Sequence, residues 1–576
     1  MLVADGQIPY LRLLPGSGGR SYRPPRAADR SPPPTNPFDG TLKPTPRRPL
    51  PRTLEAFGAR PGFPGSGTPP LAINSPKVHG FFGCVPGVQA YVRSKVVVAS
   101  AREEPHHPSI STCPPDETNA RRSPEELLRF RDLIFRRVPA SLERGVRQLL
   151  ADKISGNLVG LWLLIPEHLR LGTWDLLCGW SGQSGGRVEP RLALQLVHEA
   201  ALCTTGVRQQ RVLSQRGFEL ANGLPFVASD VAMHCLLAEH VVAEAQRLQV
   251  ALGRIRRASG DYAGKLLAID PHRTHSYSKR QMRRYRDDQK TKPFKVAPTF
   301  FALDPDTHQP VCFTVATSAK TASTAAVELL GLVAEILTPQ PGEILVLADL
   351  EHLAAELFDH VQLHTPFDLL VPMKNIRPLR KQLRAIPPEQ FTRRWAGFAT
   401  AKLPYKMTRS AKSAFQFVQR TGERLSDYRF GAFLSTTDRD EVDTLTLDYP
   451  KRWHVEEFFN AHQALGWKRA GTLNLNIRYG QMTMALVAQA VLHRTRRLLG
   501  EPYSTWDAGH FAKSLLAGLE GDIRVHDDTI VVTYYNAPNV ALLREHYEGL
   551  PDRLESEHVD PHIPWLYGFK LDFRFC

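Results

Sequence analysis

Cysteine is scarce in this sequence: seven residues in 576, at positions 84, 113, 178, 203, 235, 312 and 576, with no Cys-x-x-Cys pair. Such spacing argues against a disulfide framework or a zinc-finger array, and it suits a reducing cytoplasm. Long apolar runs are missing as well. The longest, NLVGLWLLIP at 157–166, falls far short of the roughly twenty residues that cross a bilayer. The opening MLVADGQIPYLR lacks the basic-then-apolar order of a secretion signal, so no membrane role is expected. Acidic charge is in deficit, with 58 Asp and Glu against 73 Lys and Arg, a net charge of +15. That balance favours a polyanionic partner, nucleic acid or an anionic surface. The hydrophobic share of 42% is enough for ordinary cores, and the length predicts about two to four structural units.

Texture divides the chain. Residues 1–120 hold 22 of the 46 prolines, in runs such as SPPPTNPFDG and KPTPRRPLPR, together with an excess of arginine. A stretch like this buries too little apolar surface to offset its ordering entropy, and reads as a disordered tail. It is either a basic arm on DNA or an upstream stretch without a role. From 121 to 260 the periodicity is helical. SPEELLRFRDLIFRRV (123–138) opens on a serine cap with acids in its first turn, helices follow near 140–152, 158–166 and 190–203, and a long one spans 227–256. The short helices around 189–220 fit either a helix-turn-helix or plain helical packing.

After 262 the period switches. GKLLAID (264–270) reads as a strand ending at Asp270, APTFFAL and PVCFTVAT as a hairpin, 323–337 as a helix, GEILVLAD (342–349) as a buried strand ending at Asp349, then a helix and the strand FDLLVPM (367–373). This is an α/β arrangement, a mixed sheet flanked by helices. Between about 376 and 447 the pattern becomes strand-like and basic, a β-rich insert. The helix carrying KRWHVEEFFNAHQALG and another, MTMALVAQAVLHRTRRLLG, close this unit near 500. Residues 501–576 contain a strand and a helix without an assignable role.

Two strands that each release an aspartate invite two readings: a cap on the next turn, or a carboxylate aimed into a shared site at the strand ends. The segment YPKRWHVEE (449–457) supplies a third acid. Arg452 and Glu456 are four apart and share a helix face, which fits a surface ion pair or a ligand beside a phosphate-binding cation. The order Asp270, Asp349, β insert, then Tyr449-x-x-Arg452-x-x-x-Glu456 resembles the DDE transposases of bacterial insertion sequences. The likeness is narrower still to the branch whose β insert interrupts an RNase H-like core and whose last acid lies in a Tyr-Arg-Glu-Lys signature. It extends over about 262–495. One position departs, because Gln463 stands where the signature has lysine, with Lys468 and Arg469 nearby.

The resemblance implies an RNase H-like domain over 261–500 in which strands one and four are neighbours. It also implies that Asp270, Asp349 and Glu456 hold two Mg²⁺ ions, with Mn²⁺ able to substitute. Hard cations call for such oxygen donors, and a metal pair stabilises both the attacking and the leaving oxygen of a phosphodiester cut. Expected partners are the transposon ends and target DNA, bound by a homodimer in the bacterial cytoplasm at the nucleoid. The implied reaction is hydrolytic nicking followed by strand transfer from the freed 3′-hydroxyl. For DNA contact, Tyr449 and Arg452 are placed on a phosphate, and Trp453 and Trp395 on an unstacked base unless they are core. Lys468 is a further contact. The stretch 273–295, with Arg273, Lys279, Arg280, Arg283 and Arg284 among its nine Lys/Arg, reads as a backbone clamp or a solvated loop. His272 and His275 are expected in a DNA-facing loop, Asp304 and Asp306 as turn formers, Glu457, Glu351 and Asp359 as solvated acids. Rival readings are a stand-alone RNase H-like nuclease and a non-catalytic DNA-binding protein.

Overall fold

The computed structural model describes residues 139–182, 187–204, 213, 215–276, 284–285, 292–315, 320–467 and 474–576. The proline-rich stretch 1–120, the helix expected at 123–138, and Lys279, Arg280, Arg283, Lys468 and Arg469 lie outside these residues. Among the described residues no helix is long and apolar enough to cross a membrane.

The first region contains α1 (Pro139–Leu150), a short strand β1 (Ile154–Gly156), α2 (Thr173–Ser181), α3 (Glu189–Ala201), α4 (Asp230–Glu239) and α5 (Val242–Ala258). The long helix expected at 227–256 is therefore two. The break falls at His240 and Val241, where the Glu244 carboxylate accepts from the Val241 amide at 2.9 Å and bonds His240 Nδ1 at 3.1 Å, starting a new helix.

The central sheet is built from β2 (Leu266–His275), β3 (Arg284–Tyr285), β4 (Phe294–Asp304) and β5 (Gln309–Val315). After helix α6 (Ala322–Leu337) come β6 (Leu345–Ala348), helix α7 (Ala355–His364) and β7 (Asp368–Pro372). β2 is parallel to β6, and β6 to β7, while β4 runs antiparallel between β2 and β5. Strands one and four of this RNase H-like core, β2 and β6, are thus neighbours. α6, capped by the Thr321 hydroxyl on the Thr324 amide at 3.2 Å, covers one face, packing Leu329, Leu330, Val333 and Ile336 over Leu267, Ile269, Val346 and Ala348.

The expected insert opens on a helix that strand-like composition hid, α8 (Arg377–Arg384), whose basic face lies outside while Leu379 and Leu383 are buried. Then come β8 (Thr392–Trp395), β9 (Phe398–Tyr405), β10 (Ala414–Thr421) and β11 (Arg429–Ser435). These strands are not a separate body. β11 pairs antiparallel with β7, so β8 to β11 prolong the central sheet to ten strands. The chain returns through the YPKRWHVEE segment into α9 (His454–His462) and α10 (Leu475–Leu499).

α10 runs through the largest hydrophobic cluster, which joins α1 to α5, the face of β4 and β5 away from α6, and the last seventy residues. Those last residues supply β12 (Gly521–His526), β13 (Thr529–Tyr534), α11 (Val540–Tyr547) and β14 (Lys570–Phe575), in a sheet ordered β1-β12-β13-β14. Their role is packing against the amino-terminal helices. Buried Tyr534 and Tyr547 donate to the carbonyls of Val159 (2.9 Å) and Leu163 (3.1 Å), and Trp565 to that of Ala221 (2.9 Å).

Candidate active site

Alternation along the strands decides which side chains meet. In β2, Leu267 and Ile269 point to α6, whereas Leu266 and Ala268 point to the opposite face. Asp270 has the parity of Leu266 and Ala268, so it faces the side covered by α9. In β6, Leu345 and Leu347 pack with Tyr449 on that same face, and Asp349 is the next residue of their parity. Both aspartates therefore emerge on the side where the chain delivers Glu456. The last parallel pair is Ile269 with Ala348, immediately before each aspartate.

β2 does not end at Asp270 as the sequence suggested. It continues to His275 because β4 keeps pairing on its other side, Asp270 opposite Phe301 and His275 opposite Val296. His272 and His275 consequently sit on a strand instead of a loop, stacked on Phe459 (centroids 4.3 Å) and Phe294 (3.8 Å).

Arg452 organises the acids. Its Nη1 donates to Asp270 Oδ1 at 2.9 Å and its Nη2 to Glu456 Oε1 at 3.4 Å. Its own pKa is lowered by burial but driven up overall by Asp270, Tyr449, Asp349 and Glu456. Burial pushes the Asp270 carboxyl up to about 7, with Asp349 and Glu456 adding to the rise against the opposing pull of Arg452 and His352. Asp349 goes the other way. Burial would raise it, but His352, Arg452 and the Glu351 amide outweigh that and hold it below the usual carboxylate range. Glu456 is raised, by burial first. Each of the three acids feels at least one of the others, so the site gathers negative charge that one arginine only partly balances.

Of the two sequence readings of Asp349, the cap is observed. Its Oδ1 caps the turn at Leu350–His352, accepting from the Glu351 amide at 3.1 Å, and bonds His352 Nδ1 at 2.6 Å. His352 is 1% exposed and was missed in the sequence. Its only signal is a spacing of three from the aspartate.

Tyr449 is buried against Phe433 (4.7 Å between centroids), and its hydroxyl donates to the Ala348 carbonyl at 3.4 Å. It anchors the segment to the end of β6 and also lies beside Arg452. Trp453 is half-buried, and Trp395 is exposed and stacked on Phe398 at 4.3 Å. Arg273 pairs with Glu351 and lies over the Tyr285 ring at 4.3 Å, while Arg284 is exposed on β3 opposite Lys295. Glu351 is thus an ion-pair partner. Asp359 ties α7 to the insert through Ser410 (2.6 Å) and the Ala411 amide. Asp304 forms the expected turn, its Oδ1 accepting from the amides of Asp306 and Thr307.

The oxygen-only donor set of Asp270, Asp349 and Glu456, with its surplus of negative charge, fits a hard divalent cation and not a soft one. Residues 263–491 match the family model described as the transposase DDE domain, from just before β2 into α10. No curated protein matches this chain. Solved structures that match include the cryo-EM structure of a piggyBac transposase synaptic complex with hairpin DNA, at 12% identity over 63% of this chain and 82% of that one, with a TM-score of 0.34. Residues 263–491, the core that holds the three acids, thus match a transposase DDE domain.

Proposed function

We propose that this protein is a cut-and-paste DNA transposase of the bacterial insertion-sequence type, working on transposon ends as a homodimer at the nucleoid. The observation that carries the reading is Arg452, held between Asp270 and Glu456 with Asp349 beside them. On this reading Asp270, Asp349 and Glu456 hold the divalent ions, magnesium or manganese, which supply an activated nucleophile and stabilise the leaving oxygen.

The chain's own residues do the rest. Arg452 holds the acids together between turnovers and, once they are neutralised, is free to bind the scissile phosphate. His352 fixes the rotamer of Asp349, and Tyr449 fixes the approach of the helix that bears Glu456. Arg273 and Arg284 lie on the strands that lead away from the site, where a DNA backbone would run. The exposed Trp395 offers a face for an unpaired base.

The test is cleavage of element-end DNA with Mg²⁺, comparing wild type with Asp349→Asn. Loss of cleavage with retained DNA binding supports the enzyme, and equal behaviour of the two proteins overturns it. A second reading, a DNA-binding protein without catalysis, is favoured by Gln463, since an amide there cannot supply the cation of the family signature. It predicts no cleavage by wild type under any divalent ion.

A further inference from the structure

We propose that His308, His454 and Glu457 form a binding site for one transition-metal dication of the zinc class, separate from the three acids, which clamps the β4–β5 turn to the first turn of α9. One ligand atom from each of the three lies within 4.8 Å of the other two, the only such group among the described residues. Two imidazoles and a carboxylate are the donors that borderline dications prefer, and three protein ligands leave a fourth position for water.

The tautomer is already set. His454 Nδ1 lies 2.6 Å from the Pro305 carbonyl oxygen, which only accepts, so Nδ1 carries the proton and Nε2 is left as the donor to a metal. Glu457 is three residues on and shares that helix face, the His-x-x-Glu spacing read in reverse at helical metal sites. His308 reaches across from the turn with its ring over His454, centroids 4.2 Å apart.

The frame stands without the ion. Asp304 pins the turn through the amides of Asp306 and Thr307, Gly264 donates to its other oxygen at 2.9 Å, and Lys451 pairs with Asp306 at 2.6 Å. Zinc bonds of about 2.0–2.1 Å bring tetrahedral donors to about 3.3 Å apart, and the exposed side chains at 308 and 457 have room to close that distance. Because Glu457 adjoins Glu456, an ion here would hold the helix start that delivers the third acid.

The full-length chain, stripped with a chelator, is titrated with Co²⁺ for ligand-field absorption and with Zn²⁺ against a chromophoric competitor. Beyond any ions taken up by the three acids, wild type and Glu456→Gln are expected to bind one ion at this site, with the same affinity and ligand-field spectrum. His308→Ala and Glu457→Gln, both surface changes, are expected to lose the Co²⁺ band and weaken Zn²⁺ by at least about tenfold. The proposal is overturned if wild type binds no ion, if His308→Ala and Glu457→Gln bind as wild type does, or if Glu456→Gln loses the ion along with them.

Discussion

Arg452 has two anionic partners and Asp270 one cationic one, so the four side chains of the site do not carry equal weight. Asp270→Asn, Asp349→Asn and Glu456→Gln are each expected to lower end cleavage by about two to three orders of magnitude while DNA binding persists. Cleavage assays beside gel-shift titrations check this, and retained cleavage in any one removes that acid from the mechanism. His352 acts through Asp349. His352→Ala is expected to weaken Mn²⁺ binding about 10- to 100-fold, read by Mn²⁺ titration, with His352→Asn restoring part because its amide can still donate. The acids themselves were legible in the sequence, because apolar runs ending in Asp and an Arg-Glu pair at helical spacing are local patterns. His352 was not, since its role depends on a tight turn closing back on Asp349, and one histidine on an apolar face looks like any other.

At the scale of elements, the clearest support for the site is the way α10 and α5 seat against the sheet. Arg478 of α10 is buried, its Nη2 donating to Thr299 Oγ1 at 2.7 Å and to the Ala297 carbonyl at 3.0 Å. Arg478→Met removes the donors and leaves those acceptors buried, and is expected to cost about 3 kcal/mol, measured by urea unfolding. Gly253 lets α5 approach α6 closely, because an added Cβ would lie 2.7 Å from Ile336 Cγ2 and 2.9 Å from its Cδ1. Gly253→Ala is expected to destabilise by about 1–3 kcal/mol despite alanine's better helix propensity, measured by the same urea unfolding. Element types were largely readable from periodicity, but two ends were not. β2 outlasts its parallel neighbour, and Pro271 with its polar successors reads as a loop until β4 is known to pair there. α8 was hidden because RPLRKQLR carries only two apolar positions, both of which point inward.

For the whole molecule, stability should depend on buried neutral histidines. His198 lies in the core with Nε2 3.1 Å from His168 Nε2 and Nδ1 2.8 Å from Asn222 Oδ1. Burial holds His168 well below the imidazole range and His198 down to about 4. The unfolded chain takes up protons on both rings as pH falls below about 6.5, whereas the folded chain does not. Stability is therefore fully present above that pH and is lost on acidification, by about 1.4 kcal/mol per pH unit for each ring. Urea midpoints at pH 7, 6 and 5 should fall in that order, and a flat series contradicts the assignment.

The short strand at Ile154–Gly156 pairs with a strand whose residues come more than 360 positions later, Ile154 opposite Ile523 and Gly156 opposite Gly521. During synthesis the ribosome must deliver nearly all of the described chain before that edge finds its neighbour. A product halted between Leu499 and Gly521 would keep the segment that bears the three acids yet lack the strands that close over the early helices, leaving their apolar faces in water. Such a truncated chain is expected to be a substrate for proteases, its early helices lacking the late strands that cover them.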